Sequence, residues 1–217
     1  MSPGKPDLYI YGAGGHGKVV LDAARSSGAF SALYFLDDYE ALHGTRVLDA
    51  EVLGSESSLP FPHPNVALFP AMGDNVRRLR LVNKFLDMGY QVPPVVHARA
   101  WISPFAHLEA GAVAMAGAVV NPDARVGRGA IINTGATVDH DCLIGPGAHV
   151  APGANLSGTV TLGECARVGT GACVVQGVAI GEHAVIAAGA SVTRDIEGHV
   201  LAAGVPAKVV KRLEPAS

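Results

Sequence analysis

The hydrophobic residues of this 217-residue chain follow two different periods, which meet near residues 91–98. From Ala100 to Asp195 the sequence divides into sixteen hexads with no residue inserted or lost. The first place is Ala in thirteen hexads, Cys in one and Val in two, and the third place is Val, Ile or Leu in fifteen, with Ala114 as the exception. A six-residue repeat with one small and one aliphatic inward position predicts a parallel β-helix, in which each hexad forms a short strand and a corner.

Upstream of the repeat, short apolar runs alternate with segments of helical spacing. Buried strands are predicted by DLYIYGAG, ALYFLDD and NVALFPAMG, and helices by HGKVVLDAARSSG and DNVRRLRLVNKFLDMG. Alternating strands and helices predict a small α/β unit with a parallel sheet. We therefore expect an α/β domain over residues 1–92 and a β-helix domain with a C-terminal tail over residues 93–217.

Charge and composition argue against several classes of protein. The formal net charge is −3 and the basic residues are scattered, so we expect neither nucleic-acid binding nor attraction to an anionic membrane. The sequence has no run of about 18 apolar residues and no signal-peptide core, so we expect a cytoplasmic protein without membrane insertion. Cys142, Cys165 and Cys173 are odd in number and lack C-x-x-C spacing, which favours buried thiols in a reducing compartment over a catalytic cysteine.

A glycine-rich motif, GAGGHG at residues 12–17, lies between a predicted strand and a predicted helix, and Asp37 and Asp38 end the next strand. Taken alone, the motif indicates a dinucleotide site, with glycines for close backbone approach and a helix N-terminus for phosphates. The segment before the repeat has room for only one mononucleotide-binding half of such a fold. We therefore expect a half-Rossmann-like domain that binds a nucleotide, because hydride transfer would leave the repeat unexplained.

Three motifs together resemble one family. The hexads resemble those of the hexapeptide acyltransferases, whose fold is a left-handed β-helix with three hexads per coil. The tail AAGVPAKVVKRL, residues 202–213, is similar to the G-x-P-A-K ending of that superfamily. With YIYGAGGHGKVV and FLDD added, nearly the whole chain resembles the bacterial N-acetyltransferases that modify nucleotide-activated 4-amino sugars, together with the related sialic acid O-acetyltransferases.

The resemblance implies an enzyme that uses acetyl-CoA, has no metal cofactor and acetylates a nucleotide-linked amino sugar. The acceptor is expected to be a UDP-linked 4-amino-4,6-dideoxy sugar for surface glycan or glycoprotein synthesis, and O-acetylation of a sialic acid-type sugar is an alternative. Zinc carbonic anhydrases share this solenoid, but their metal needs three converging histidines, and their H-x₄-H pair is missing here. A non-catalytic solenoid would not need the nucleotide-type loop.

His140 is the strongest catalytic candidate. With three hexads per coil, residues eighteen apart stack, so His140 lies between Pro122 and Gly158 and beside an open notch. Asp139 and Asp141 flank the histidine. A neighbouring carboxylate can hold an imidazole in one tautomer and make it a better general base near neutral pH.

The family places its catalytic base in a similar stretch, N-T-x₅-H followed by an acid, which Asn133, Thr134, His140 and Asp141 match. The resemblance implies that His140 takes a proton from the acceptor amine as its nitrogen attacks the thioester, without a covalent enzyme intermediate. Asp141 would orient the ring, at a place where the family often carries Glu. A solvated histidine at a polar turn is the alternative.

The resemblance also implies two groups of binding residues. The acceptor set comprises Gly14, His16, Gly17, Asp37, Asp38, Gly73, Asn75 and Asn133. The acetyl-CoA set comprises His149, Gly158, Thr170, Ala188 and Lys208, with Arg212 as a further candidate for the 3′-phosphate. Gly158 and Ala188 would be small so that the pantetheine arm can pass. The alternatives are a helix-capping role for His16, a surface position or contact with the acceptor for His149, and solvated surface charge for Lys208.

The hexad count also predicts an assembly. Counting by threes places Asn133, His140 and His149 near three different corners of a triangular prism, whose side is one short strand, about 15 Å. Side chains on different corners of one chain cannot converge on one small substrate. We therefore expect a homotrimer with active sites between subunits, which agrees with the trimeric assembly of the family.

Overall fold

The computed structural model describes residues 4–214, so residues 1–3 and 215–217, at the outer ends of the two expected domains, lie outside the described residues. The N-terminal part is an α/β unit. Its strands are β1 (Asp7–Tyr11), β2 (Leu33–Leu36), β3 (Arg46–Val47), β4 (Ala50–Glu51) and β5 (Val66–Pro70), and its helices are α1 (Gly15–Ser27) and α2 (Asn75–Asp87). Glu40–Leu42 and Glu56–Ser58 form 3₁₀ turns.

The α/β unit has the parallel sheet that the sequence predicts, in the order β2–β1–β5. Ile10 pairs with Phe35 on one side and Phe69 on the other, and all three side chains are buried. Parallel strands are covered on both faces, which explains why their sequences are almost continuously apolar. β3 and β4 form a short antiparallel hairpin that the sequence analysis did not predict, because strands of two residues are too short to show a period.

Both helices have the boundaries that their flanking residues favour. α1 ends before Gly28, which has the left-handed φ of 62° that a helix C-terminus often requires. α2 begins after Asp74, whose side chain accepts a hydrogen bond from the backbone N–H of Arg77 at 2.7 Å. Between residues 4 and 214, neither helix combines the length and the apolar character needed to cross a membrane.

The hexads form three parallel sheets around a triangular column, which confirms the predicted solenoid. Sheet I comprises Val95–Val96, Val113–Ala114, Ile131–Ile132, His149–Val150, Arg167–Val168, Val185–Ile186 and the C-terminal hairpin of Val200–Gly204 and Ala207–Arg212. Sheet II comprises Trp101–Ile102, Val119–Val120, Thr137–Val138, Asn155–Leu156, Cys173–Val174 and Ser191–Val192. Sheet III comprises His107–Leu108, Arg125–Val126, Leu143–Ile144, Thr161–Leu162 and Ala179–Ile180.

Each coil passes through sheets I, II and III in turn, so a residue pairs with the one eighteen positions later, as Ile131 does with His149. Corner I/II is formed by residues 133–136 and their equivalents in other coils, corner II/III by 139–142, and corner III/I by 145–148. The small and aliphatic side chains at the first and third places fill one continuous core inside the column. Polar side chains are thereby left for the outer surface and the corners.

The α/β unit packs against sheet I and corner III/I. Val95, Val113, Met115 and Ile131 of the solenoid share a buried cluster with the strands of the α/β sheet. This apolar contact fixes the side of the column on which the N-terminal glycine loop lies.

At corner III/I, Gly111, Gly129 and Gly147 lie one above another and form a glycine ridge under α2. A Cβ on Gly111 would lie 2.7 Å from Cγ2 of Val82, and a Cβ on Gly147 would lie 3.2 Å from Cβ of Leu79. Side chains on the ridge would therefore push α2 away from the column. The three glycines also have left-handed φ angles of 63° to 66°.

Candidate functional site

A cavity of about 570 Å³ opens at the carboxyl ends of β1, β2 and β5. This is the edge of a parallel sheet at which α/β folds bind ligands. The cavity is lined by five of the residues expected to bind the acceptor, Gly14, His16, Asp37, Asp38 and Gly73, and by Tyr11, Gly12, Gly15, Tyr39, Ala71, Met72 and Arg77. The glycine loop and the ends of the strands thus form one pocket.

Asp37 and Asp38 differ in their contacts within this cavity. Asp37 accepts hydrogen bonds from the backbone N–H of Ala13 at 2.8 Å and of Tyr39 at 2.9 Å, so it holds the glycine loop in place. Asp38 accepts from the Tyr11 hydroxyl at 2.7 Å. Burial, reinforced by this bond, raises the pKa of Tyr11, which remains a hydrogen-bond donor. Asp38 is the more open to a ligand, because its other oxygen has only a 3.8 Å contact with Arg77.

Three residues that the sequence predicted at the acceptor lie outside the cavity, namely Gly17, Asn75 and, at corner I/II, Asn133. Gly17 is buried, and a Cβ there would overlap the carbonyl oxygen of Gly12, so this glycine is required by the packing of α1 on its own turn. Asn75 donates from Nδ2 to the carbonyl of Cys165 at 2.9 Å and accepts at Oδ1 from Arg78 at 2.9 Å. The expectation that Asn75 borders the pocket is therefore wrong, because its side chain attaches α2 to the solenoid.

His140 lies at corner II/III with its side chain about half exposed. Its Nδ1 is 2.7 Å from Oδ2 of Asp141. Asp139 instead accepts from the backbone N–H of His140 and from Nδ2 of Asn121, both at 2.8 Å. These two bonds lower the pKa of Asp139, the Asn121 bond contributing most. The two aspartates thus act separately, Asp141 on the ring and Asp139 on the backbone of the turn.

The hydrogen bond to Asp141 raises the pKa of His140. A neutral ring that donates from Nδ1 carries no proton on Nε2, so Nε2 is available to accept one. The bond therefore gives the ring a fixed orientation, a defined tautomer and greater basicity.

Gly158 lies directly against the His140 ring. A Cβ on Gly158 would overlap Cε1 of the imidazole and lie 2.5 Å from Nε2. The notch expected beside His140 is thus occupied by the ring itself. Glycine at this position is explained by the space that the imidazole needs, before any pantetheine arm is considered.

Asn133 and His149 form a hydrogen bond, with Nδ2 of Asn133 at 3.0 Å from Nε2 of His149. The Oδ1 atom of Asn133 accepts from the backbone N–H of Thr134 at 2.8 Å, which assigns Nδ2 as the donor. Nε2 of His149 is therefore the acceptor, and its proton lies on Nδ1. The expectation that the side chains of Asn133, His140 and His149 stay at three different corners is wrong, because Asn133 and His149 meet at corner I/II and only His140 lies elsewhere.

His149 is buried, which excludes the alternative of a surface histidine. Burial lowers the pKa of His149 to about 3, with smaller contributions from Arg78, Arg167 and His16. Burial and the charge of Arg78 likewise lower the pKa of His16 to about 4. Both imidazoles are neutral at pH 7. Nε2 of His16 and Nδ1 of His149 are enclosed and have no hydrogen-bond partner in the described part of the chain.

The remaining residues expected to bind acetyl-CoA lie higher on the column. Thr170 and Ala188 are exposed at corner I/II, above Asn133. Lys208 is exposed on the C-terminal hairpin, and Nη2 of Arg212 is 3.0 Å from Oε1 of Glu197. The candidate residues thus fall on two corners, with His140 and Gly158 on one and Asn133, Thr170 and Ala188 on the other.

His140 and the cavity lie on opposite sides of one chain. The cavity belongs to the α/β unit that covers sheet I. Corner II/III, which carries His140, is the edge of the triangular column opposite sheet I. A ligand in the cavity therefore cannot reach the imidazole of the same chain without crossing the column.

Three residues at the site were missed by the sequence analysis. Tyr39 is 67% exposed at the rim of the cavity, Arg77 lines it, and Arg78 is fully buried beneath it. No motif marks a single tyrosine or arginine, although an aromatic residue directly after the two aspartates was a detectable signal. Within residues 4–214, no group of three or more His, Cys, Asp or Glu side chains has a geometry that could hold a metal ion.

Comparisons with known proteins agree with both parts of the structure. A family model described as the PglD N-terminal domain matches residues 7–85. The acetyltransferase domain of PglB from Neisseria gonorrhoeae, solved with acetyl coenzyme A, is 38% identical, with a TM-score of 0.90 and coverage of 95% of this chain and 100% of that one.

Two further structures match over almost the full length. PerB from Caulobacter crescentus, solved with CoA and GDP-perosamine, is 39% identical, with a TM-score of 0.88 and coverage of 97% and 100%. WeeI from Acinetobacter baumannii is 27% identical, with a TM-score of 0.83 and coverage of 94% and 99%. These matches confirm the left-handed winding of the solenoid. With identities of 38% and 39% across nearly the whole of both chains, this chain belongs to the nucleotide-sugar N-acetyltransferase family of the hexapeptide-repeat superfamily.

Proposed function

We propose that this acetyltransferase moves the acetyl group of acetyl-CoA directly to the amine of a nucleotide-linked amino sugar, with His140 as the general base. The observation that carries the proposal is the geometry of the imidazole, whose Nδ1 is held by Asp141 at 2.7 Å while Nε2 has no hydrogen-bond partner among residues 4–214. Support for the two substrates comes from PglB, solved with acetyl coenzyme A, and from PerB, solved with CoA and GDP-perosamine.

The chemistry needs one proton acceptor and no covalent enzyme intermediate. The amine nitrogen attacks the thioester carbonyl while Nε2 of His140 takes a proton from that nitrogen. The tetrahedral intermediate then collapses, the C–S bond breaks, and the imidazolium returns the proton to the leaving thiolate, which gives CoA and the acetamido sugar. Holding both substrates in one site supplies much of the rate.

The acceptor is proposed to bind with its nucleotide in the cavity of the α/β unit. Backbone N–H groups at the N-terminus of α1, beside Gly14 and His16, suit the phosphates, because a helix N-terminus attracts anions. Asp38 suits the ribose or base, and Gly73 borders the same cavity. The proposed acceptor is a UDP-linked 4-amino-4,6-dideoxy sugar, for glycan or glycoprotein synthesis in the cytoplasm. GDP-perosamine is the alternative acceptor, because PerB was solved with it.

The active site is proposed to lie between subunits of a homotrimer. Corner II/III of one protomer, with His140 and Gly158, would face corner I/II of the next, with Asn133, Thr170 and Ala188. The pantetheine arm would follow this crevice toward Lys208. His149 would contribute through Asn133, because its Nε2 already accepts the amide N–H of that residue. The sugar of a nucleotide bound to one protomer would then reach the imidazole of its neighbour.

The test is an acetyl-transfer assay with acetyl-CoA and a panel of UDP-, GDP- and dTDP-linked amino sugars. His140→Ala is expected to fold normally and to lose at least about 100-fold in kcat, because loss of a positioned base typically costs that much. His183→Ala, at corner III/I, serves as the control and should retain activity. Turnover near that of the wild type in His140→Ala would remove this residue from the mechanism.

A further inference from the structure

Arg78 is a cation in the interior of the protein. It is fully buried, and it forms no ion pair with a carboxylate of residues 4–214. Burial lowers the pKa of Arg78 to about 10, so the guanidinium stays charged at pH 7. A buried charge is costly unless hydrogen bonds replace its hydration, so the contacts of this side chain show what it stabilises.

The guanidinium joins the solenoid to the wall of the cavity. On the solenoid side, Nε donates to the carbonyl of Gly129 at 2.6 Å and Nη2 to that of Gly147 at 2.7 Å. These are two successive members of the glycine ridge. On the other side, Nη1 donates to the carbonyl of Met72 at 2.9 Å, with longer contacts to Gly73 and Asp74 at 3.5 and 3.4 Å.

We propose that Arg78 is a positioning residue that fixes the wall of the nucleotide cavity relative to the solenoid, and therefore relative to the acetyl-transfer crevice. This inference rests on the proposed function, since it assigns the cavity to the acceptor. Met72 and Gly73 line the cavity, and their carbonyls are held by the same planar group that binds the glycine ridge. The position of the acceptor thus depends on one side chain that touches neither substrate.

Lysine cannot replace this arrangement. Arginine offers five N–H groups in a rigid plane, whereas lysine offers three on a flexible chain. Gly129 and Gly147 lie one coil apart, at the spacing of neighbouring strands, about 4.8 Å. The planar fork places a different nitrogen at each of the three carbonyls, of Gly129, Gly147 and Met72, whereas a lysine ammonium would have to bond all three from one atom.

The cation also acts on the two enclosed histidines. After burial, its charge is the next cause of the low pKa of His16 and of His149. Both rings therefore stay neutral, and the tautomer of His149 that accepts the Asn133 amide is maintained. Removal of the Arg78 charge would therefore reduce the lowering of both histidine pKa values, in addition to breaking the hydrogen bonds of the guanidinium.

The experiment compares Arg78→Lys and Arg78→Met with the wild type, and Arg80→Lys, an exposed arginine on the same helix, is the matched control. KM and kcat are measured for each substrate, and hydrogen–deuterium exchange is followed by mass spectrometry. In Arg78→Lys we expect KM for the nucleotide sugar to rise about 10-fold or more, because small displacements of a bound substrate are costly. KM for acetyl-CoA should stay near the wild-type value, since the crevice is formed by the solenoid alone.

Hydrogen–deuterium exchange tests the role of Arg78 separately from the proposed function. Residues 71–75 should exchange faster in Arg78→Lys, while the solenoid coils and the Arg80→Lys control should match the wild type. A lower melting temperature with unchanged KM and unchanged exchange of residues 71–75 would show a purely structural role and overturn the inference. If the wild type binds no nucleotide sugar, the proposed function fails, and the exchange of residues 71–75 alone decides the role of Arg78.

Discussion

The two nitrogens of the His140 ring have different environments, since Nδ1 contacts Asp141 and Nε2 does not. The substitution Asp141→Asn tests whether this contact sets the basicity of the ring. In the wild type, kcat/KM should rise with pH as the ring loses its proton, and the hydrogen bond to Asp141 places this rise above the ordinary histidine pKa because it raises the pKa of His140. In Asp141→Asn the amide oxygen still accepts from Nδ1, but the negative charge is lost. The pKa falls, the acidic limb moves to lower pH, and the plateau of kcat/KM falls because the base is weaker.

The measurement is the pH profile of kcat/KM between about pH 5 and pH 9, a range that brackets the ordinary histidine pKa. Asp123→Asn is the control, because Asp123 occupies the equivalent place one coil below and shares the left-handed conformation of Asp141, with φ of 61° against 59°. An acidic limb at the same pH in Asp141→Asn and in the wild type would contradict a role for Asp141 in setting the basicity of the ring.

Single residues show where the sequence was informative. The contact between His140 and Asp141 was predictable because the repeat has a fixed register, so a charged cluster at a corner stands out. Arg78 was not predictable, because the sequence of α2 does not show which arginine faces a row of carbonyls. The pairing of Asn133 with His149 was missed for a related reason, since hexad counting gives backbone positions and ignores how far a side chain reaches around a corner.

A second prediction follows from the stacking of coils, which places Gly158 against the His140 ring at corner II/III. In Gly158→Ala the new Cβ would overlap the His140 ring, so the imidazole must turn away from its position. The backbone of Gly158 does not have a positive φ, so the coil itself should tolerate alanine. We expect a melting temperature close to that of the wild type and a loss of about 10²-fold to 10⁴-fold in kcat, the cost of a misplaced base.

Gln176→Ala, at the same corner one coil above, is the control for this substitution and should keep its kcat. Full activity in Gly158→Ala would mean that catalysis does not depend on the observed position of the His140 ring.

At the scale of elements, the sequence predicted the strands, the helices and the stacking of coils well, because each depends on a local period. It could not predict the docking of α2 on the glycine ridge, since the glycines at 111, 129 and 147 look like ordinary corner residues.

On the scale of the whole molecule, the α/β unit and the corner that carries His140 face away from each other in one chain. The apolar contact with sheet I and the hydrogen bonds of Arg78 hold the cavity on one side of the column. His140 lies on the opposite edge. The sequence indicated an active site shared between subunits, but it placed His149 on a third corner. In the structure, the side chains of Asn133 and His149 meet at one corner and His140 lies at another, so the proposed site would need residues from only two protomers.

Subunit mixing tests this arrangement. His140→Ala removes the proposed base, and Gly14→Trp is designed to block the cavity, where a Cβ at residue 14 meets no protein atom within 4 Å. Each variant alone should be nearly inactive. In trimers assembled from equal amounts of both variants, a shared site is intact only when its cavity comes from a His140→Ala chain and its imidazole from a Gly14→Trp chain. Each condition holds for half of the chains, so about a quarter of the wild-type activity should return in a trimer whose subunits contact one another head to tail. If each chain instead used its own cavity and its own His140, every site in the mixed trimers would carry one defect and no activity would return.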